Sequence, residues 1–71
     1  MFQYRKLKGK IIEVFGSQKK FATAMGLSER TVSLKLQGAT PWTQPEMFKA
    51  VGLLKEPVSM IDEYFFTQKV Q

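Results

Sequence analysis

The chain has 71 residues, enough for one small domain, and contains neither cysteine nor histidine. Disulfides, thiolate nucleophiles, imidazole bases and ordinary transition-metal sites are thereby excluded, and neither an enzyme nor a cofactor or metal protein is expected. The net charge is +5 and uneven: residues 1–36 hold eight basic and two acidic side chains, residues 37–71 three and four. That asymmetry suits an oriented polyanion-binding surface, beside the plainer reading of a solvated surface.

The periodicity is helical almost throughout. Leu7, Ile11, Val14 and Phe15 recur at three and four residues and predict a helix over residues 4–15, closed by Gly16. Ser17 is placed to cap a second helix over 18–25 that buries Phe21, Ala22 and Met25. Gly26 supplies the next terminator. Ser28 is placed to cap a third helix over 29–37, with Val32 and Leu36 on its buried side and Gly38 beyond its end. A short loop with Pro41 and Trp42 follows, the indole bracing the loop against the core. Thr43 and Glu46 form a capping-box signature for a fourth helix over 44–54, with Pro45 tolerated in its first turn. Pro57 opens a fifth helix through Met60, Ile61, Tyr64 and Phe65. The longest apolar run, residues 50–54, is too short to cross a bilayer, and no apolar stretch of signal length follows the basic N-terminus. The expectation is a soluble all-α bundle of five short helices forming a single domain over 1–71.

The informative stretch is QKKFATAMGLSERTVSLKLQG, residues 18–38. Two short helices meeting at a steep angle need a small residue where they approach, a turn residue tolerant of positive φ, and apolar residues filling the angle. Ala22 meets the first need and Gly26 the second. Phe21, Met25, Leu27 and Val32 meet the third.

The stretch resembles the helix-turn-helix of the lambda-repressor/Cro superfamily. More narrowly, FGSQKKFATAMGLSERTVSLKLQG with the later TQPEM resembles small regulators of temperate phages of Gram-positive bacteria. The resemblance implies a Cro-like transcriptional regulator that binds operator DNA, usually as a dimer, in the bacterial host cytoplasm. It departs at one point. The family places an apolar or aromatic residue three positions after Val32, where this chain has Lys35. Leu36 is then expected to take over the packing, while the Lys35 stem covers the core and its ammonium reaches solvent or phosphate.

At 3.6 residues per turn, Arg30, Ser33, Leu34 and Gln37 spread around the side of the third helix opposite Val32 and Leu36. Arg30 is the candidate for guanine readout. Leu34 either meets a thymine methyl group or, with the helix rotated, joins the core. Glu29 can accept from cytosine or simply suit the helix dipole. Ser28 and Ser33 complete the expected base contacts. Expected phosphate contacts are Ser17 and Gln18 at the N-terminus of the second helix, Lys19, Lys20, Lys35 and Gln37 near the recognition helix, and Thr40 and Thr43 after it. Lys6 and Lys10 would join if the first helix faces the duplex. Met60, Tyr64, Phe65 and Phe66 are expected to leave an exposed apolar patch for a weak homodimer or a partner. The alternative to direct DNA binding is an antirepressor or co-repressor that binds a partner repressor protein. Neither a membrane nor a small-molecule substrate is expected.

Overall fold

In the computed structural model, which describes residues 2–67, helix α1 spans Arg5–Phe15. It turns Leu7 and Ile11 fully inward. Phe15 packs edge-to-face on Phe21, centroids 5.5 Å apart. This contact tilts the apolar stripe toward the second helix. Val14, expected in the stripe, lies on the opposite flank and is 37% exposed. Gly16 ends α1 at φ 83°, its N–H donating to the Ile12 carbonyl.

Helix α2 (Gln18–Met25) begins at Ser17, whose hydroxyl accepts from the Lys20 N–H at 3.2 Å. It buries Phe21, Ala22 and Met25, as its spacing predicts. Gly26 follows at φ 75°, a conformation costly for any residue with a Cβ. The chain reverses there, and the Leu27 N–H returns to the Ala22 carbonyl. Helix α3 (Glu29–Leu36) starts on the Ser28 cap and buries Val32, Lys35 and Leu36. It stops one residue short of the predicted end, with Gln37 in the capping position.

Helix α4 (Gln44–Leu53) has the expected capping box: Thr43 Oγ1 accepts from the Glu46 N–H at 3.3 Å, and Glu46 Oε1 accepts from the Thr43 N–H at 2.9 Å. Leu54 caps its far end and is itself buried. Pro57 opens a 3₁₀ turn (Val58–Met60) rather than an α-helix, and the turn runs directly into a short α5 (Ile61–Phe65). Five α-helices thus enclose one core, and Trp42 is central to it. Its ring lies 5.1 Å from Phe65 and 6.4 Å from Tyr4, edge-on to both. The loop after α3, the N-terminal segment and α5 therefore converge on one indole.

Core packing corrects the C-terminal expectation. Tyr64 and Phe65, assigned to an exposed interface, are 4% and 1% exposed, because α5 closes the bottom of the core. Met60 is half-buried against the same core. Phe66 remains 42% exposed and packs edge-to-face on Phe2 at 5.4 Å. The Gln3 N–H donates to the Thr67 carbonyl at 2.9 Å, joining the two ends of the described chain. Among the described residues, no helix is long and apolar enough to cross a membrane.

Candidate partner-binding face

The α2–turn–α3 unit presents the outer side of α3 between two capped helix starts. Arg30 projects from it exposed and makes no ion pair among the described residues. Glu29 is exposed beside it in the first turn, where an acid favours the helix dipole. Leu34 is half-buried but is not one of the side chains packed on the core. Of its two readings, the one that rotates it into the core is not what the fold adopts.

Several hydroxyls expected to touch DNA serve the chain itself. Ser28 Oγ accepts from the Thr31 N–H at 3.0 Å and donates to Thr31 Oγ1 at 2.8 Å. Ser33 Oγ accepts from Gln37 Nε2 at 3.2 Å. Ser17 and Thr43 hold the starts of α2 and α4. Gln18 and Thr40 are half-buried, and the Thr40 N–H donates to the Leu34 carbonyl.

Lys35 departs most from expectation. It is 5% exposed, and its ammonium turns inward rather than to solvent or phosphate. Nζ donates to the Pro41 carbonyl and to Glu46 Oε1, both at 2.9 Å, and lies 5.7 Å from the Trp42 ring centroid. The reason is geometric. Position 35 sits beside Val32 on the core side of α3, and the capping carboxylate of α4 lies opposite. Burial alone would raise the Glu46 carboxyl, but the Thr43 N–H and the Lys35 ammonium outweigh it and hold the group below its ordinary value. One lysine therefore ties α3, the loop and α4 together.

The first helix divides its cations between its two flanks. Lys6 pairs with Glu63 at 2.8 Å, and Lys10 pairs with Glu13 at 2.6 Å and Glu56 at 3.0 Å. These bonds raise both lysines above their ordinary values, chiefly through the hydrogen bonds that Lys6 donates to Glu63 and Lys10 donates to Glu13. Burial, and then the nearby Glu56, raises the Tyr64 phenol at the same seam. Lys6 and Lys10, proposed to join the interface, are thus engaged on the far flank. Arg5 and Lys8 border the C-terminal end of α3 instead, near Leu36 and Gln37, and neither has an acidic partner among the described residues. The sequence reading missed both. Their spacing places them on one side of α1, but only the packing reveals which neighbour that side meets.

The described carboxylates Glu13, Glu46, Glu56 and Glu63 all neutralise lysines within the fold. Arg5, Lys8, Lys19, Lys20, Arg30, Lys49 and Lys55 keep no acidic partner among the described residues, Lys49 donating to the Met25 carbonyl instead. Five of these seven belong to the first three helices, so the sequence asymmetry survives folding as unspent positive charge around α3. Among the described residues, no cluster of acids could hold a metal ion.

Two comparisons place the chain among known proteins. A family described as "Protein of unknown function (DUF739)" matches residues 1–68. The solution structure of the modulator of repression (MOR) of the temperate bacteriophage TP901-1 from Lactococcus lactis is similar at 50% sequence identity and a TM-score of 0.81, over 99% of this chain and 95% of that one. No curated protein matches.

Proposed function

Because the chain belongs to the DUF739 family, and its similarity to a phage modulator of repression spans nearly its whole length, we propose that it modulates repression in a temperate-phage genetic switch by binding a partner repressor protein. That similarity is the observation that carries the reading. The face around α3 supports it physically. A side chain that reads bases needs donors and acceptors free for base edges; Ser28 commits its hydroxyl donor and an acceptor site to Thr31, and Ser33 and Gln37 share one hydrogen bond. Outward on α3 stand Arg30 and the half-buried Leu34, a charged and an apolar contact of the kind protein interfaces use, with Glu29 exposed beside Arg30. The protein acts in the host cytoplasm, where the repressor and its operator are.

Direct binding of a duplex, in the manner of Cro-like regulators, is the second reading. Lys19, Lys20 and Arg30, without acidic partners among the described residues, favour it, since phosphate neutralisation needs free cations beside a helix start. Gel shifts separate the two. Operator DNA is mixed with the protein alone, with the repressor alone, and with both. The modulator reading expects no discrete band from the protein alone and an altered repressor band in the mixture. A discrete operator band from the protein alone, with the repressor band unchanged, supports the second reading instead.

A further inference from the structure

Where the start of α1 meets the end of α3, the surface opens into a cleft of about 390 Å³, within the size range of pockets that seat ligands. Its walls differ in chemistry. Phe2, Tyr4 and Leu36 make one part apolar, while Arg5, Lys8 and Gln37 make the other polar. The apolar part is set by the fold: Phe2 is braced by Phe66, and Gln3 is hydrogen-bonded to Thr67. Leu36 is 4% exposed and belongs to the core.

The charged part is unfinished. Every cation on the opposite flank of α1 has its carboxylate, Lys6 with Glu63 and Lys10 with Glu13 and Glu56. Arg5 and Lys8 have none among the described residues. An apolar ligand would leave both cations unmatched. A bare phosphate would make no use of Phe2 and Tyr4. The complementary ligand carries a carboxylate next to an apolar side chain, and carboxylates bind arginine by paired, charge-assisted hydrogen bonds.

We propose that this cleft seats an acidic segment of the partner protein, its aspartate or glutamate on Arg5 and Lys8 and a neighbouring apolar side chain against Phe2 and Tyr4. The proposal rests on the reading that the chain works by binding a protein. It places the anchor on α1 and the end of α3, away from the Arg30 end of that helix.

The test is an NMR titration of the isotope-labelled chain with three probes: a short blocked peptide of alternating aspartate and leucine, the same peptide with lysine for aspartate, and a short DNA duplex. The acidic peptide should shift the amides of Phe2, Tyr4, Lys8 and Gln37, and the basic peptide should not. The double variant Arg5→Gln, Lys8→Gln should weaken the acidic peptide by about tenfold or more, as losing charge-assisted bonds requires. Lys55→Glu removes the same total charge away from the cleft and should change binding by less than about twofold. Phe2→Ala, which keeps every charge, should also weaken binding. The proposal is overturned by an absence of shifts at those amides, by equal shifts from both peptides, or by a duplex that displaces the acidic peptide. The gel shift with the repressor keeps the two readings apart. A double variant that alters the repressor band as fully as the wild type sinks the cleft and leaves the modulator reading intact. Peptide binding at the cleft without any effect on the repressor sinks the modulator reading and leaves the cleft.

Discussion

Lys35 gives the sharpest energetic prediction. Replacing it with alanine removes about three methylenes from a site that is 5% exposed, worth about 2.4 kcal/mol at ~0.8 kcal/mol each. It also strips a donor from the Pro41 carbonyl and from Glu46 Oε1, which adds about 1–3 kcal/mol for two part-buried acceptors, one of them charged, left short of a partner. Lys35→Met restores most of the stem, so it should lose only the second part, about 1–3 kcal/mol. The total for alanine, about 3–5 kcal/mol, approaches the whole stability of a domain this small. Methionine is therefore the more informative variant. Urea unfolding followed by far-ultraviolet circular dichroism reads both. Glu46→Gln completes a double-mutant cycle, since the glutamine oxygen can still accept from the Thr43 N–H. The Lys35→Met and Glu46→Gln effects should couple by about 1 kcal/mol or more, because the residues share one hydrogen bond. If both Lys35 variants fall within about 0.5 kcal/mol of wild type, as surface substitutions do, the inward lysine is not holding the loop. Additivity with Glu46→Gln would refute the shared bond.

Other substitutions test the remaining parts of the fold. The Glu46 carboxyl lies below its ordinary value of 4.5 in the folded chain, so its contribution is complete above that value and lost as pH falls through the lower folded one. Wild-type urea midpoints should therefore decline in acid more steeply than those of Glu46→Gln, and parallel acid limbs would contradict this. Gly26→Ala meets no crowding, since an added Cβ would lie 4.0 Å from its nearest neighbour. The backbone at φ 75° should nonetheless cost about 1–2 kcal/mol in the same assay. Lys6→Gln breaks only an exposed pair with Glu63, and its melting curve should match wild type. Arg30→Ala should leave stability unchanged while weakening whichever macromolecule the α3 face binds, which parallel melts and titrations would check.

Most of the architecture was legible because its signals are local. Ser17, Ser28 and the Thr43–Glu46 pair mark helix starts by chemistry that acts within three residues, and all three caps formed. Gly16 and Gly26 mark the ends in the same way. What was not legible depends on which element packs where. The departure from the family pattern at Lys35 put its stem on the core, but the partner that draws its ammonium inward, Glu46, stands eleven residues away across a loop. Within α1 only Glu13, three residues after Lys10, marks one cationic flank, and it does not show which element each flank meets. Lys6 and Lys10 were expected at the interface only if α1 faced the duplex, and α5 with the segment before it supplies carboxylates that claim them. The C-terminal aromatics posed the same problem. Tyr64 and Phe65 fill the core because α5 lies across Trp42, and only Phe66 turns outward.

The most direct measurement is fluorescence anisotropy of a labelled operator titrated with the switch repressor at fixed salt, with and without a saturating amount of this protein. A shifted repressor midpoint, with little anisotropy change from this protein alone at the same concentration, is the expected result. An unmoved repressor curve, beside a saturable and sequence-dependent rise from this protein alone, would contradict modulation through a protein partner.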